Sequence, residues 1–298
     1  MMTRRRFLAL SACATALPGR AAPPVAPPVA RWRGVAMGSV ATLTLSGLDD
    51  HAARPIFARV EAELARIEAR FSLHRDSALT RLNRDGRLAW PGAEILELFS
   101  LADAVHAATG GAFDPSVQPL WRAIAEGRDP GPARAALGWA GVEVSAREIR
   151  LARPGMALTF NGIAQGHAAD RIAALLRGAG LRDVLIDMGE IVAAGARPGG
   201  GPWRAQIAGP DGEAIGAQDL RDTALATSAP LGTRIGPAGT APHILDPQGG
   251  APRWRLATVA APRAALADAL STAACVMDRP AIAAALAAFP GARLVALA

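Results

Sequence analysis

Four short stretches of this 298-residue chain carry more Gly, Asp and His than a scaffold requires. The most specific is Asp268-Ala269-Leu270-Ser271-Thr272, set in an apolar run with helical spacing. Residues three and four apart share a helix face, so Asp268, Ser271 and Thr272 can turn oxygens toward one hard cation. Mg²⁺ takes about six oxygens and is usually held by one or two carboxylates plus substrate phosphates, which suits so sparse a set with a single carboxylate. Taken alone, a surface Asp and a filler Thr account for the same residues. Upstream, His243-Ile244-Leu245-Asp246-Pro247 places an imidazole three residues before a carboxylate in a turn, a candidate general base with its surroundings. A lone His is nevertheless more often structural.

The other three stretches are glycine turns. Ala36-Met37-Gly38-Ser39 lets backbone approach a ligand while a flexible thioether covers an apolar surface such as a flavin ring. Thr109-Gly110-Gly111-Ala112-Phe113-Asp114-Pro115 combines a helix stop with a Phe expected to be exposed and an Asp; as a plain turn it is a helix C-cap. Asn161-Gly162-Ile163-Ala164-Gln165-Gly166-His167 enters a helix whose free N–H groups suit a phosphate. It has neither the dinucleotide-fingerprint spacing nor the Lys of a P-loop.

These turns need elements to hold them. Alternation in Val40–Leu45 predicts a strand after the Met37 turn. Val60, Leu64, Ile67 and Phe71 mark an amphipathic helix over 55–71, and a second helix over 94–109 stops at Gly110-Gly111. Residues 142–151 read as strand, 164–178 as helix, 184–187 as a buried strand, and 203–208 and 256–260 as further strands. Two Ala-rich helices follow, over 264–277 and 280–289. Strands and helices mix without regular alternation, which predicts an α+β fold with antiparallel sheets and flanking helices rather than a doubly wound one.

All 32 basic residues are Arg, Tyr is absent and aromatics are 4%. An isoelectric point near 11.0 therefore reflects scattered Arg rather than a stacking, phosphate-tracking surface, and no nucleic-acid partner is expected. No transmembrane segment is expected in the mature chain. Arg4-Arg5-Arg6-Phe7-Leu8 ahead of a small apolar run has the pattern of a twin-arginine signal over 1–22, with a cleavage site after Ala16 or Ala21, and implies periplasmic export. A Pro-rich linker over 23–33 and one body over 34–298 follow. Once a signal holding Cys13 is removed, Cys275 has no partner for an intramolecular disulfide and reads as a small core residue.

In their order and joint presence, these stretches resemble the ApbE family of FAD:protein FMN transferases across most of residues 34–290. Met37-Gly38-Ser39, Phe71-Ser72-Leu73-His74, Gly110 to Pro115, Gly162 to Gly166, Val184 to Gly189, His243 to Pro247 and Ala267 to Thr272 carry the resemblance. It implies a body related to the T-fold, FAD as substrate in a cleft, and Mg²⁺ at its pyrophosphate. Met37, His74, Ala112, Phe113, Asp114, Thr159, Gln165 and Leu245 would then line the FAD site. The carbonyl of Gly162 would join Asp268, Ser271 and Thr272 on the metal. Thr159 stands where the family usually has Asp, Gln165 where it has Lys or Glu, and His74 and His167 where it has Tyr. The run Asn161 to Gly166 with Asp187-Met188-Gly189-Glu190-Ile191 resembles a proteobacterial branch that includes NosX-type proteins.

The implied reaction moves FMN from FAD to a Thr or Ser of an exported FMN-binding domain, a NosR-like membrane electron-transfer protein, and releases AMP. His243 is the candidate to take the hydroxyl proton, the alternative being that it only binds and orients phosphate. A rival reading is a periplasmic flavin-donor protein with little transferase activity, suggested by the charges lost at Thr159 and Gln165.

Overall fold

The computed structural model describes residues 27–209 and 211–298. The signal over 1–22 and residues 23–26 lie outside them.

Strand β1 (Val29–Ala36) takes in residues 29–33, which the sequence assigns to the linker. It forms a hairpin with β2 (Ser39–Ser46), turning at Met37-Gly38. Helix α1 (Asp50–Phe71) begins ahead of the expected Pro55, because the Asp49 side chain caps it by accepting from Ala52 N at 2.8 Å. After it come α2 (Ala78–Asp85), β3 (Arg87–Ala89), α3 (Ala93–Ala108), α4 (Gln118–Ala125) and α5 (Pro130–Ala135). The expected strand over 142–151 is two, β4 (Val142–Val144) and β5 (Glu148–Leu151), folded back at Ser145. Helix α6 (Ala164–Gly178) and strand β6 (Val184–Asp187) fall where periodicity places them.

Then follow β7 (Ile191–Ala194), β8 (Trp203–Ala208), β9 (Ala214–Leu220), β10 (Thr223–Ser228), β11 (Arg234–Ile235), β12 (Ala241–Pro242) and β13 (Ala257–Ala261). Helices α7 (Ala264–Ala274) and α8 (Arg279–Ala287) and strand β14 (Arg293–Leu297) complete the chain.

The main sheet has seven strands in the order β1-β2-β6-β7-β10-β13-β14, each pair antiparallel. With the segregated helices this is the α+β class expected from the sequence. Helices α1, α6 and α7 pack on the sheet, and the β8–β9 hairpin covers the other side through Trp203, Ala205 and Leu220 on Ala193, Leu225 and Ala260. Strand β13 is five small residues, all buried. The absence of bulk there lets α7 lie close on the sheet. Buried faces from both ends of the chain merge in one core, with Phe71, Phe99, Phe160 and Trp139 stacked in its middle.

Helices α6 and α7 meet closest. A Cβ on Gly166 would lie 2.3 Å from Ala264 O, so only glycine allows this approach. The two helices also cap each other. Asp170 of α6 accepts from Ala264 N at 2.7 Å and Ala265 N at 3.1 Å, while Asp268 of α7 accepts from Gly166 N at 3.1 Å. Neither helix has a capping side chain of its own, so each borrows a carboxylate from the other.

Candidate functional site

The reciprocal caps place the third and fourth turns side by side. Phe160 is fully buried, with its ring 4.8 Å from that of Phe99 and 5.7 Å from that of Phe71, which anchors the turn that follows it. That turn presents Gly162 against Thr272: a Cβ on Gly162 would lie 3.0 Å from Thr272 Oγ1. Asp268, Ser271, Thr272 and Gly162, named together from sequence, are therefore brought together by the fold. The structure adds Ser228 at the end of β10, whose Oγ lies 2.8 Å from Ser271 Oγ and 3.3 Å from Thr272 Oγ1. Nothing in the Ala/Thr/Ser sequence of β10 marks Ser228. Only strand pairing carries it to α7.

Two expectations are corrected. Asp268 is not the surface residue that the stretch taken alone would allow; it is 3% exposed, as is fitting for a helix buried along most of its length. Burial pushes its pKa up to about 7, aided by the nearby Asp170 charge and opposed by the Gly166 N–H. Phe113 is not exposed either. It sits in the core at 5% exposure, its N–H donating to Thr109 Oγ1 at 3.1 Å and its carbonyl 2.9 Å from His106 Nδ1. A turn that returns to the helix it ends folds its aromatic inward, so of this stretch Gly110, Gly111, Ala112 and Asp114, but not Phe113, remain accessible to a ligand.

The nucleotide-site candidates are tied together by a chain of contacts. Met37, at φ 49°, donates its N–H to Glu68 Oε1 at 3.1 Å, and Glu68 pairs with Arg75 at 2.8 Å, beside the exposed His74. Gln165 donates to Ser39 Oγ at 2.9 Å, joining the Met37 turn to the start of α6. Thr159 N donates to Pro115 O at 2.8 Å, which sets the Asp114 turn beside the turn at 160–163. The Asp114 carboxylate itself accepts from Ser116 N at 2.8 Å. Gln248 donates to Gly110 O at 2.9 Å, bringing the loop of half-buried Leu245 onto the second turn. Asp246 has a local duty there, accepting from Gln248 N and Gly250 N. His167 stays out of this region. It is 1% exposed in the core, edge-on to Phe71, with Nε2 3.2 Å from Glu94 Oε1.

His243 Nδ1 lies 2.9 Å from Pro230 O and 3.0 Å from Thr233 O. Two carbonyls can only accept, so Nδ1 carries the proton and Nε2 keeps its lone pair. Burial lowers the pKa of this imidazole, with the two carbonyls opposing, so the ring is neutral at pH 7. Pro230 is two residues beyond Ser228, which puts His243 at the same end of β10 as the hydroxyl cluster.

The donors around Asp268 are all oxygens. Cys275 borders them, its Sγ 3.4 Å from Ser271 O, but burial pushes its thiol up to about 12, which removes it as a soft ligand. Among the described residues no group of three or more His, Cys, Asp or Glu is placed to hold a metal. A carboxylate, hydroxyls and a backbone carbonyl instead suit a hard cation that draws further ligands from its substrate. A cavity of about 620 Å³ elsewhere, lined by Asn83, Arg122, Arg153 and Met156 among others, contains none of the candidate residues.

Known proteins share this arrangement of elements. A family model described as the ApbE family matches residues 37–295. A protein of Klebsiella pneumoniae named FAD:protein FMN transferase is 28% identical over 249 residues, covering 74% of this chain and 69% of that protein. A Salmonella typhimurium protein of the same name is 27% identical over 248 residues, with the same coverage. Among solved structures, the Pseudomonas stutzeri flavinyl transferase ApbE in its apo form superposes with a TM-score of 0.72 at 27% identity, covering 87% of each chain. The ApbE protein of Thermotoga maritima superposes with a TM-score of 0.77 at 25% identity, covering 89% of this chain and 93% of the other.

Proposed function

The chain belongs to the ApbE family, and from that premise we propose that it is a Mg²⁺-dependent FAD:protein FMN transferase. It moves FMN from FAD to a Thr or Ser hydroxyl of another protein and releases AMP. The observation that carries this reading is the convergence of Gly162, Ser228, Asp268, Ser271 and Thr272 in one oxygen-lined cluster at the start of α6, where the N–H groups of Ala164, Gly166 and His167 are already bonded within the chain. Phosphoryl transfer asks a protein mostly for positioning and for charge neutralisation, and such a cluster supplies both.

Asp268, Ser271, Thr272 and the Gly162 carbonyl would hold the cation, with Ser271 also tied to Ser228 at 2.8 Å and to the Asp268 carbonyl at 3.0 Å. When bound, Mg²⁺ withdraws charge from the pyrophosphate. The residues of the chain do the rest. The Met37 turn, Ala112 and Leu245 cover the flavin, and Asp114, Thr159 and Gln165 meet the polar parts of the nucleotide. The acceptor oxygen forms a bond to the FMN phosphorus as the bond from that phosphorus to the bridging pyrophosphate oxygen breaks, and AMP leaves with the bridging oxygen. His243 Nε2 takes the hydroxyl proton, its orientation set by the two carbonyls on Nδ1.

The twin-arginine pattern and the linker support a periplasmic enzyme acting on an exported FMN-binding domain, such as a NosR-like electron-transfer protein. Replacing Arg4, Arg5 and Arg6 with Lys should hold the precursor in the cytoplasm, because an ammonium does not reproduce the planar guanidinium. Unchanged periplasmic yield would count against export by this route. The decisive assay for the activity is incubation of the mature protein with FAD, Mg²⁺ and an FMN-binding domain, read by mass spectrometry. An adduct with the mass of FMN on the acceptor is expected. Its absence, with FAD bound, would favour the flavin-donor reading. One observation speaks for that rival: Thr159 Oγ1 accepts from Asn161 N and Gln165 reaches Ser39, so both side chains are engaged within the protein.

A further inference from the structure

Glu190 sits in the turn between β6 and β7, 5% exposed, and its Oε2 has no hydrogen-bond partner. The turn is pinned from two sides. On one, Gln165 Nε2 lies 3.4 Å from Met188 O, and Gly189 packs on the same amide. Gln165 adjoins Gly166, whose N–H is held by Asp268. On the other side Thr227 N–H donates to the Glu190 carboxylate, and the next residue is Ser228, which bonds Ser271 and Thr272. Glu190 thus reaches the oxygen cluster from the sheet, opposite α7. The acids that face it are Asp268 and Asp187, and among the described residues no basic side chain pairs with either Glu190 or Asp268.

Desolvated carboxylates without a counter-charge are unfavourable, and a bare lone pair inside a protein is rarely left unused. A divalent cation resolves both features: its charge balances two carboxylates, and a hard ion takes the orphaned oxygen as a ligand.

We propose that Glu190 is a second anionic ligand of the cation site built by Asp268, Thr272 and Gly162. This rests on the Mg²⁺ dependence proposed above and goes beyond it in one consequence. With two carboxylates instead of one, the site binds Mg²⁺ before the nucleotide arrives, because affinity for hard cations rises with the number of charged ligands.

The test is calorimetric titration of the FAD-free protein with Mg²⁺, paired with thermal melts in EDTA and in millimolar Mg²⁺. Glu190→Gln should weaken Mg²⁺ binding on the order of tenfold or more. It should melt above the parent protein in EDTA, where a buried acid with an unpartnered oxygen has been removed, and below it in Mg²⁺, where a ligand has been lost. That reversal of order is what a merely structural glutamate would not give. Glu190→Asp, which keeps the charge and withdraws the oxygens by one methylene, should bind with intermediate affinity. Unchanged Mg²⁺ affinity in Glu190→Gln while Asp268→Asn loses it would overturn the assignment and leave the cation site standing. So would a Glu190→Gln that does not fold in either buffer beside a Glu190→Asp of parental affinity. If the parent protein binds no Mg²⁺ with or without FAD, the cation site itself is withdrawn, and Glu190 with it.

Discussion

Two acidic clusters lie inside this protein, and they are built on opposite principles. Around Glu94 the acids are compensated. Glu94 lies 3.5 Å from Arg66, 3.6 Å from Arg70 and 3.2 Å from His167, while Glu63 takes bonds from Arg66 and Arg171. Burial opposes the charge of Glu63, yet the two guanidiniums prevail and its carboxyl falls below the ordinary range. Among the described residues no basic side chain pairs with Asp268 or Glu190, and burial holds both above the usual carboxylate range. The first cluster is finished by the chain itself. The second is left incomplete, which is a poor way to hold a fold together and a good way to receive a metal ion and phosphates.

This contrast can be broken by experiment. The largest effect belongs to Asp268→Asn, which keeps an oxygen for Gly166 N–H and removes the charge. FMN transfer should fall by about three orders of magnitude or more, corresponding to the several kcal/mol a metal contributes at a developing charge. Melting in metal-free buffer should hold or rise. Near-normal transfer, read by adduct mass, would place the metal elsewhere.

Phe113→Ala tests the corrected position of that ring. Deleting a core Phe should cost about 3 kcal/mol of stability in a urea titration. FAD affinity per folded molecule should change little. A large loss of affinity at unchanged stability would return Phe113 to the binding surface.

Glu94→Gln strips the compensated cluster and should cost about 2 kcal/mol, the range for a hydrogen bond to a charged partner. It should leave Mg²⁺ affinity and transfer as they were. A fall in Mg²⁺ affinity would mean that the two clusters are coupled.

The smallest effect is a slope with pH. Burial raises the Asp268 pKa in the folded protein from the ordinary 3.8 to about 7. Between those values the folded state keeps a proton that the unfolded chain has released, so stability is highest at the acid end and is lost as pH rises toward 7. The slope is at most about 1.4 kcal/mol per pH unit. Metal-free melts should show it, and Asp268→Asn or added Mg²⁺ should flatten it. A parental slope in Asp268→Asn would assign the titration to another group.

The legible parts of the molecule are those whose physics is local. Helix α6 carries its period and its glycine stop, strand β6 its apolar run, and the spacing Asp268, Ser271, Thr272 its shared helix face, so all were readable along the chain. The order of glycine turns also pointed to the family. What was not readable depends on partners far away in sequence. Strand β10 has a bland composition and is a strand because β7 and β13 pair with it on both sides. Ser228 enters the site for the same reason. Phe113 follows a helix stop, and nothing adjacent says whether such a ring turns outward or, through Thr109 and His106, back into the core.

The amino-acid sequence by itself determined which side chains can offer oxygen to a cation, because residue type and helical period belong to the chain. Only the tertiary structure decided how they are charged. Whether a carboxylate meets guanidiniums, as Glu94 does, or stands desolvated beside another acid, as Asp268 does, depends on what the sheet and the α6–α7 crossing bring within a few ångströms. Electrostatic energy in a low-dielectric interior is set by those distances and by burial rather than by order along the chain.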